Sequence, residues 1–389
     1  MRKMLILFLK LCNLLSTIEE KSMKKINDIT ELKIDSERNY LITKTKVATY
    51  SIFTLLFIVT SYLSVLFIQK QFSSKTSFFV FESLSPIILL ALGILLIFYF
   101  LLDALRFLYV LKTLQIDVTL GYLVKLTFIN IFLSNITPFA TGGGFAQIYF
   151  LNKKGISIGD ATAATTIKTA LPIIFFFITT PIILITDKSL IKIVPSGNNL
   201  IYILSLVFVY ILAIYGFYKT MKNTKIIKRF FFNVLLFLEH KKIFSKNKLK
   251  RVRDKSFLEI DVFALNIKRF LKGKKEYIFL SITFMILYLF SLFIFPVILI
   301  RGLNSSISTM QIISLQILLT FLTYFAPTPG ATGVAEGGFT LMFSNFVGKN
   351  DIVSLTFSWR FFTMYLGMLI GLTIFYFEIA KNKLRAKNI

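Results

Sequence analysis

Two stretches of sequence decide the fold: FLSNITPFATGGGFAQ at residues 132–147 and FLTYFAPTPGATGVAE at residues 321–336. Each begins as an apolar run and is then interrupted by proline and by glycine. Both residue types disrupt a helix, and a membrane tolerates a broken helix only where the freed backbone is buried in protein or lines a cavity. Aligned without gaps at an offset of 189 residues, the two stretches have identical residues at four places. In the first stretch these are Phe132-Leu133, Pro138, Gly144 and Ala146.

The same offset relates the apolar segments on either side of these stretches. Segment 84–111 falls on 273–300, and segment 161–186 falls on 350–375. One matched hairpin could arise by chance in an apolar sequence, but two matched flanks in the same register are much less expected from chance. The sequence therefore predicts an internal repeat, with repeat A at about 84–186 and repeat B at about 273–375.

The composition is that of a membrane protein. Only 16% of the residues are charged and 56% are hydrophobic, whereas soluble domains carry roughly 25% charged residues. The net charge of +26 comes from basic blocks between long apolar stretches. Cytoplasmic loops of membrane proteins have this Lys/Arg excess, so the charge does not indicate nucleic-acid binding.

Six stretches are long enough to cross a hydrocarbon core of about 30 Å as a helix, which takes about 20 apolar residues. They are residues 47–68, 84–111, 161–186, 200–218, 277–301 and 352–378. Segments 119–151 and 308–345, which contain the two quoted stretches, are apolar but broken.

Basic residues predict the orientation. Segment 219–276 holds 18 Lys/Arg against five acidic residues, so it and both basic termini are predicted to be cytoplasmic. Segment 119–151 must then begin and end inside, and segment 308–345 must begin and end outside. The predicted fold is an all-α polytopic membrane protein of the cell membrane, with six full spans and two re-entrant helical hairpins in an inverted-topology repeat.

The predicted domain organisation has four parts. A basic cytoplasmic or interfacial leader covers residues 1–46, within which either Met1 or Met23 is the start, and the membrane domain covers 47–380. Within that domain, the linker 219–276 reads as a basic amphipathic helix suited to an anionic membrane surface. Residues 381–389 form a cytoplasmic tail.

Soluble-type catalysis is not expected. Cys12 is the only cysteine and His240 the only histidine, so the sequence offers no disulfide framework, metal cluster or Cys/His catalytic pair. We therefore expect no metal or other cofactor and no enzymatic activity.

The hairpin tips are the candidate binding site. A helix restarts near Phe145 and near Val334, and helix N-termini with nearby glycines can bind an anion such as a lipid phosphate. Glu336 either complements its helix dipole or acts functionally, with Gln147 as its neutral counterpart. The candidate residues for binding a lipid or its headgroup are Asn135, Pro138, Thr141, Gly142, Gly143, Gly144, Gln147, Lys168, Pro327, Pro329, Gly330, Gly333, Glu336 and Arg360.

Four charged residues lie within predicted spans. Asp103 and Arg106 are three residues apart on one helix face, which favours a structural ion pair. Lys168 and Arg360 are intramembrane cations beside their own hairpins, and such residues are functional candidates. A headgroup contact is the favoured interpretation for both, with snorkelling to the interface as the alternative.

The two hairpins resemble the signatures of the flippase-like family, the transmembrane region of lysylphosphatidylglycerol synthases. The first signature is carried by Asn135-Ile136-Thr137-Pro138, Thr141-Gly142-Gly143, Gln147 and Lys153-Lys154-Gly155-Ile156-Ser157. The second is carried by Ala326-Pro327-Thr328-Pro329-Gly330 and Gly333-Val334-Ala335-Glu336-Gly337, and Arg360 fits the arginine that commonly follows. The resemblance covers roughly residues 45–380, with one departure: members often carry Glu-Arg where this chain has Lys168-Thr169.

In the synthases this region is the lipid-translocating half, and a separate soluble domain transfers the aminoacyl group. The resemblance thus implies a lipid translocase acting on a phospholipid, aminoacyl-phospholipid, glycolipid or polyprenyl-phosphate lipid. Because the chain ends soon after its last span, no transferase domain is expected here. The alternatives are a non-transporting membrane subunit that supports a separate lipid-modifying or glycosyl-transferring enzyme, and a small-solute transporter. The expected partners are anionic or phosphate-bearing membrane lipids and a separate transferase.

Overall fold

The computed structural model describes part of the chain, all of it within residues 80–387. The described residues are 80–81, 84–186, 225, 228–229, 231–233, 246–303, 307–348 and 351–387, with only the backbone considered at 246–252 and 379–387. The leader 1–46, both candidate start residues, the predicted spans 47–68 and 200–218, and most of the linker before residue 246 lie outside them.

All regular structure in these ranges is helical, which confirms the all-α class. In chain order the helices are α1 (Pro86–Thr113), α2 (Leu120–Asn135), α3 (Thr141–Lys153), α4 (Ile158–Thr186), α5 (Lys246–Lys272), α6 (Lys275–Gly302), α7 (Thr309–Thr323), α8 (Val334–Phe343), α9 (Ile352–Arg360) and α10 (Leu366–Lys387). A π-helical turn, Phe361–Tyr365, joins α9 to α10.

Four of these helical segments are long and apolar enough to cross a membrane: α1, α4, α6 and the continuous stretch Ile352–Glu378. At a rise of 1.5 Å per residue, a 28-residue helix such as α1 is about 42 Å long, which exceeds a hydrocarbon core of about 30 Å. These four correspond to four of the six predicted spans. Helix α4 begins three residues before the predicted boundary at 161, where the Ser157 hydroxyl accepts a hydrogen bond from the Asp160 N–H at 3.0 Å.

The broken segments form two helical hairpins. Hairpin A consists of α2, the 3-10 turn Pro138–Ala140 (turn A) and α3, and hairpin B consists of α7, the 3-10 turn Pro329–Ala331 (turn B) and α8. Their four helices have 16, 13, 15 and 10 residues. Each is shorter than the roughly 20 residues that a spanning helix requires.

The helix boundaries in the two halves match at the offset of 189. Shifted by 189, α1 falls on residues 275–302, which are the bounds of α6, and α2 falls on 309–324, one residue longer than α7. Repeats A and B differ in the sequence that breaks their hairpins, yet both have the same order of long and short helices.

Helices α1 and α6 pack against each other in opposite directions. Tyr109, near the end of α1, has its ring centre 5.3 Å from that of Phe284. Tyr99, earlier in α1, contacts residues later in α6, with ring centres 5.0 Å from Tyr288 and 5.9 Å from Phe295. Tyr99 and Tyr288 are themselves 189 residues apart, and their hydroxyls are 3.2 Å apart. Residues that contact their own counterparts lie on a two-fold axis, so an approximate two-fold axis passes between these tyrosines.

A second pair of contacts obeys the same symmetry. The Arg106 guanidinium carbon lies 4.2 Å from the centre of the Tyr288 ring. The contact between Tyr99 and Phe295 is its counterpart, because Phe295 is Arg106 shifted by 189.

The described part of the basic linker ends in α5, which packs on the start of α4. The Glu259 carboxylate accepts a hydrogen bond from the Gly159 N–H at 2.5 Å, and the Asn266 amide donates to Asp160 at 2.5 Å. A carboxylate at a helix N-terminus is favourable because it meets unpaired N–H groups and the positive end of the dipole. Helix α5 is thereby fixed to the α4 end that follows hairpin A.

A large buried apolar cluster of described residues lies between α1, α6, hairpin B and α9. A smaller cluster, centred on Phe176, Phe293 and Phe321, joins α4, α6 and α7. The core therefore packs hairpin B against the long helices, and hairpin A borders it through the partly buried Phe128 and Ile131.

Candidate functional site

Turns A and B contact each other, although they are separated by about half of the chain. Neither turn contains a fully buried residue: Pro138–Ala140 are exposed and Pro329–Ala331 are partly exposed. Phe139, Ala140 and Ala331 have φ values of 52°, 53° and 55°, in the left-handed region that costs free energy for residues other than glycine. Backbone strain of this kind clusters at functional sites, and the junction of the turns is the candidate site.

Turn A is stabilised by side chains that bond to the backbone. The Thr137 hydroxyl donates to the Leu133 carbonyl at 2.7 Å and accepts from the Gly142 N–H at 2.8 Å. The Asn135 amide donates to the Ile131 carbonyl at 2.7 Å, and the Thr141 hydroxyl donates to the Pro138 carbonyl at 3.1 Å. Asn135 and Thr141, two predicted headgroup residues, thus use these donors within hairpin A.

The glycine run of hairpin A lies inside a helix. Helix α3 begins at Thr141, so the predicted restart near Phe145 is wrong by one helical turn. A side chain at Gly142 would meet the Leu133 carbonyl at 2.7 Å, and one at Gly143 would meet the Asn130 carbonyl at 2.8 Å. These glycines let α3 approach α2 closely, as small residues do between membrane helices, and this packing explains why they do not break the helix.

In hairpin B the helix restarts where predicted, with α8 beginning at Val334. Gly333 precedes it with a φ of 87°, and Gly330 in turn B has a φ of 61°. Glycine reaches these conformations without steric cost. The two hairpins therefore use glycine differently, for close helix packing in A and for the backbone turn in B.

A buried charge cluster, here called cluster A, lies beside hairpin A. Asp103 on α1 accepts a hydrogen bond from Arg106 Nε at 2.8 Å and from the Thr127 hydroxyl of α2 at 2.9 Å. Lys168 Nζ of α4 lies 2.8 Å from Asp103 Oδ2. The pairing of Asp103 with Arg106 has the geometry that their spacing predicts, and Lys168 joins the same carboxylate from another helix.

Cluster A has more positive than negative charge. One carboxylate faces two cations, and all three side chains are buried. Within the described part of the chain, Arg106 Nη1 is buried without a hydrogen-bond partner. A buried cation that is not fully neutralised is costly unless it is paired, so this cluster is suited to receive an anion.

A second cluster, cluster B, fixes turn B. The Arg360 guanidinium donates to Glu336 Oε1 at 2.7 Å and to the Gly330 carbonyl at 2.6 Å. Glu336 Oε2 accepts from the Gly333 N–H at 2.8 Å. Arg360 thus bonds to the middle of turn B and Glu336 to the backbone after it. The N–H of Gly333, a predicted headgroup residue, is therefore bonded to Glu336.

Residues at equivalent places in the two halves differ in charge. Gln147 stands where Glu336 stands in the other half, and Leu171 stands where Arg360 does. Gln147 is buried, and its amide nitrogen has no hydrogen-bond partner within the described residues. Half B therefore contains a neutralised pair, whereas half A combines a neutral amide with the positive cluster A.

The last long helix of each half has an irregular feature at the same place, a proline within α4 and a π-helical turn after α9. Pro172 lies inside α4, and the residue 189 positions later is Phe361, the first of the π-helical turn. Proline removes one backbone hydrogen bond, and a π turn adds one residue to the helix. Pro172 comes shortly after Lys168, and the π-helical turn comes directly after Arg360.

The structure distributes the predicted site residues over two clusters and the turns between them. Pro138 and Pro329 begin the turns, and Pro327 is exposed just before turn B. Lys168 and Arg360 do not share a cluster. Sequence reasoning did not identify Thr127 or the tyrosine pair, although identical residues at the 189 offset could have indicated Tyr99 and Tyr288.

The described residues contain no group of three or more His, Cys, Asp and Glu side chains that could hold a metal ion.

Comparison with known proteins covers both hairpins. The family model for the lysylphosphatidylglycerol synthase TM region matches residues 51–371. A UPF0104 membrane protein of Archaeoglobus fulgidus is 23% identical over 323 residues, which are 81% of this chain and 94% of that protein.

Proposed function

Because the chain belongs to the lysylphosphatidylglycerol synthase transmembrane-region family, we propose that it translocates a phosphate-bearing lipid between the leaflets of a cell membrane. The substrate class is a phospholipid, an aminoacyl-phospholipid, a glycolipid or a polyprenyl-phosphate lipid. The observation that carries the proposal is the contact between the two hairpin turns, together with a buried charge cluster bonded to α2 of hairpin A and another bonded to turn B. We also propose that any aminoacyl transfer belongs to a separate enzyme.

The architecture supports alternating access. The antiparallel packing of α1 on α6 and the approximate two-fold axis at Tyr99 and Tyr288 are the relations that an inverted-topology repeat requires. In this proposal hairpins A and B re-enter the membrane from opposite faces and meet near its midplane. Inverted repeats place their binding site at such a position, between discontinuous helices.

Cluster A supports the choice of a phosphate. Its two cations and single carboxylate leave one positive charge, and Arg106 Nη1 is a free donor within the described residues. Arginine donates hydrogen bonds in a planar fork that matches phosphate oxygens. Lys168 adds a second charge from another helix, so an incoming phosphate would meet both cations if it displaced part of the bonding to Asp103.

Reconstitution tests the proposal directly. Protein is placed in vesicles of phosphatidylethanolamine and phosphatidylglycerol that contain a trace of fluorescent phosphatidylglycerol in both leaflets. A membrane-impermeant reductant quenches the outer-leaflet label only, and translocation exposes the inner-leaflet label as well. We expect the wild-type protein to give quenching beyond the outer-leaflet fraction.

Two lysine variants serve as a matched pair. Lys168→Met leaves Asp103 paired with Arg106 but removes the surplus charge, whereas Lys125→Met removes an exposed lysine of α2. A hydrogen bond to a charged group contributes about 1.5–3 kcal/mol, so we expect Lys168→Met to slow translocation about tenfold or more and Lys125→Met to leave it unchanged.

The outcomes separate the candidate functions. If well-folded wild-type protein translocates none of the four substrate classes named above, the result favours a non-transporting membrane subunit that supports a separate enzyme. Equal rates for both lysine variants would mean that the phosphate does not use cluster A.

A further inference from the structure

A groove separates α3 of hairpin A from α4. Its volume is about 340 Å³, which lies within the range of about 300–1,000 Å³ for small-molecule sites. It is lined by apolar residues and threonines, among them Gly144, Phe145, Thr165, Thr169, Ala170 and Ile173.

One lining residue has an unused polar group. Thr165 is 5% exposed, and its hydroxyl has no hydrogen-bond partner within the described part of the chain. Burying a hydroxyl without a partner is costly. By contrast, the Thr169 hydroxyl, also in the groove lining, donates to the Thr165 carbonyl at 2.9 Å. Thr165 is therefore the groove residue whose hydroxyl has an unmet hydrogen bond within the described part of the chain.

The equivalent position in half B is filled by the protein itself. At the offset of 189, Trp359 and Phe362 replace Ala170 and Ile173, and both are buried. Ser358, the counterpart of Thr169, accepts a hydrogen bond from the Val80 N–H at 3.0 Å. Phe81 packs on Phe362 with ring centres 5.6 Å apart. Half B thus has a short piece of its own chain, the Val80 N–H and the Phe81 ring, seated where half A has a groove lined by smaller side chains.

The groove opens outward in half A. Phe145, which lines it, is 72% exposed, and Ile174, next to the lining residue Ile173, is 42% exposed. Exposed apolar side chains on a membrane helix face lipid. An extended molecule that combines an apolar chain with hydrogen-bond acceptors would fill this groove, and a membrane lipid has that chemistry.

We propose that the groove between α3 and α4 binds a single membrane lipid sideways, with an ester or phosphate oxygen accepting from the Thr165 hydroxyl and an acyl chain beside Phe145 and Ile173. This inference rests on the proposed function and adds a docking site to it. The lipid comes from the leaflet on the side of the basic Lys153-Lys154 turn, which joins the same two helices. Half A is therefore the side on which lipid joins the protein in this conformation.

Photo-crosslinking measures occupancy of the groove without requiring transport. Phe145 is replaced by a benzophenone-bearing phenylalanine analogue, and the protein is reconstituted in phosphatidylethanolamine vesicles containing radiolabelled phosphatidylglycerol. The same analogue at the exposed Leu341 of α8 reports contact with bulk lipid. We expect a phosphatidylglycerol adduct at 145 that exceeds the adduct at 341.

Two variants test the groove itself. The first carbon of a side chain at Gly144 would meet Thr165 Cγ2 at 3.8 Å, an ordinary contact, so Gly144→Leu should fold and fill the groove. Gly337→Leu is its control, since Gly337 has open space around its Cα in the second helix of hairpin B. We expect Gly144→Leu to reduce the adduct at 145 at least tenfold and Gly337→Leu to leave it unchanged.

Removing one hydroxyl tests the polar contact. Thr165→Val keeps the shape and should reduce the adduct about threefold to tenfold. Thr162→Val is its control, because the Thr162 hydroxyl already donates to the Ile158 carbonyl at 2.6 Å. Both variants are compared at equal amounts of monodisperse protein.

The results distinguish this inference from the function on which it rests. A groove-dependent adduct without lipid translocation would retain the docking site and refute the translocase. Translocation together with an adduct that Gly144→Leu does not reduce would refute the docking site. A crosslink from position 145 to another segment of the same chain would also refute it, because the groove would then be filled as in half B.

Discussion

Replacing Glu336 with glutamine leaves a buried arginine without its counter-charge. Glu336 is 1% exposed and Arg360 is 7% exposed, and their charged atoms are 2.7 Å apart. Removing one partner of a buried ion pair costs about 3–5 kcal/mol. At about 2 °C per kcal/mol, the low end of the range for large domains, Glu336→Gln should lower the melting temperature by about 6–10 °C.

The other half of the protein supplies a compensating change. Half A folds with Gln147 and Leu171 at the places of Glu336 and Arg360, so the double variant Glu336→Gln/Arg360→Leu gives half B the residue types of half A. Replacing a buried ion pair by residues without charge is often neutral. We therefore expect the double variant to regain most of the lost melting temperature, although the Gly330 carbonyl loses the donor it has at 2.6 Å.

The assay is thermal unfolding of detergent-solubilised protein, read as the fraction that remains monodisperse after heating. The wild-type protein, both single variants and the double variant form a double-mutant cycle. A Glu336→Gln variant that melts within 2 °C of wild type would refute the cost assigned to the unpaired arginine. Additive losses in the double variant would show that the two residues are not energetically coupled.

Four further predictions follow from the same geometry. Gly143→Val should destabilise the protein by about 1–3 kcal/mol through overpacking against α2, whereas Gly144→Ala should be tolerated. Thermal unfolding measures both, and equal melting temperatures for the two variants would contradict the packing role of Gly143. In a Cys12→Ser background, Lys153→Cys should resist an impermeant thiol reagent on intact cells and Asn345→Cys should react, and the reverse pattern would overturn the inverted repeat. Asp103→Asn leaves Arg106 and Lys168 without a counter-charge, so its membrane-inserted yield should fall well below that of Lys125→Met; equal yields would contradict the ion-pair role. Arg360→Lys keeps the charge but loses the two-point contact with Glu336 and Gly330, so it should retain part of the translocation rate, whereas Arg360→Gln should retain very little. Equal translocation rates in both variants and wild type would refute a role for Arg360 in translocation.

The sequence was most informative about the long helices. Their apolar length is a property of each segment alone, so the predicted bounds of the four described spans lie within three residues of the observed ones. The repeat offset was also readable, because it is a comparison within one sequence, and the bounds of α1 and α6 agree with it.

Contacts between helices were less accessible to prediction. Lys168 joins Asp103 across 65 residues of sequence, and Arg360 joins Glu336 across 24. Which cation reaches which carboxylate depends on how α4 and α9 pack, and helix periodicity does not contain that information. The start of α3 was misplaced for a related reason, since the fit of Gly142 and Gly143 against α2 outweighs the weak helix propensity of glycine.

The π-helical turn determines which side of α10 faces hairpin A. Successive residues of an α-helix are about 100° apart, so converting this turn to regular helix by losing one residue would rotate α10 by that angle relative to α9. The chain beyond the turn is fitted in one orientation: a side chain at Gly371 would overlap the Phe128 carbonyl oxygen, and one at Gly367 would meet the Phe100 ring at 3.1 Å. Deleting a single residue between 361 and 365 should therefore keep the helix continuous and yet turn its glycines away from hairpin A.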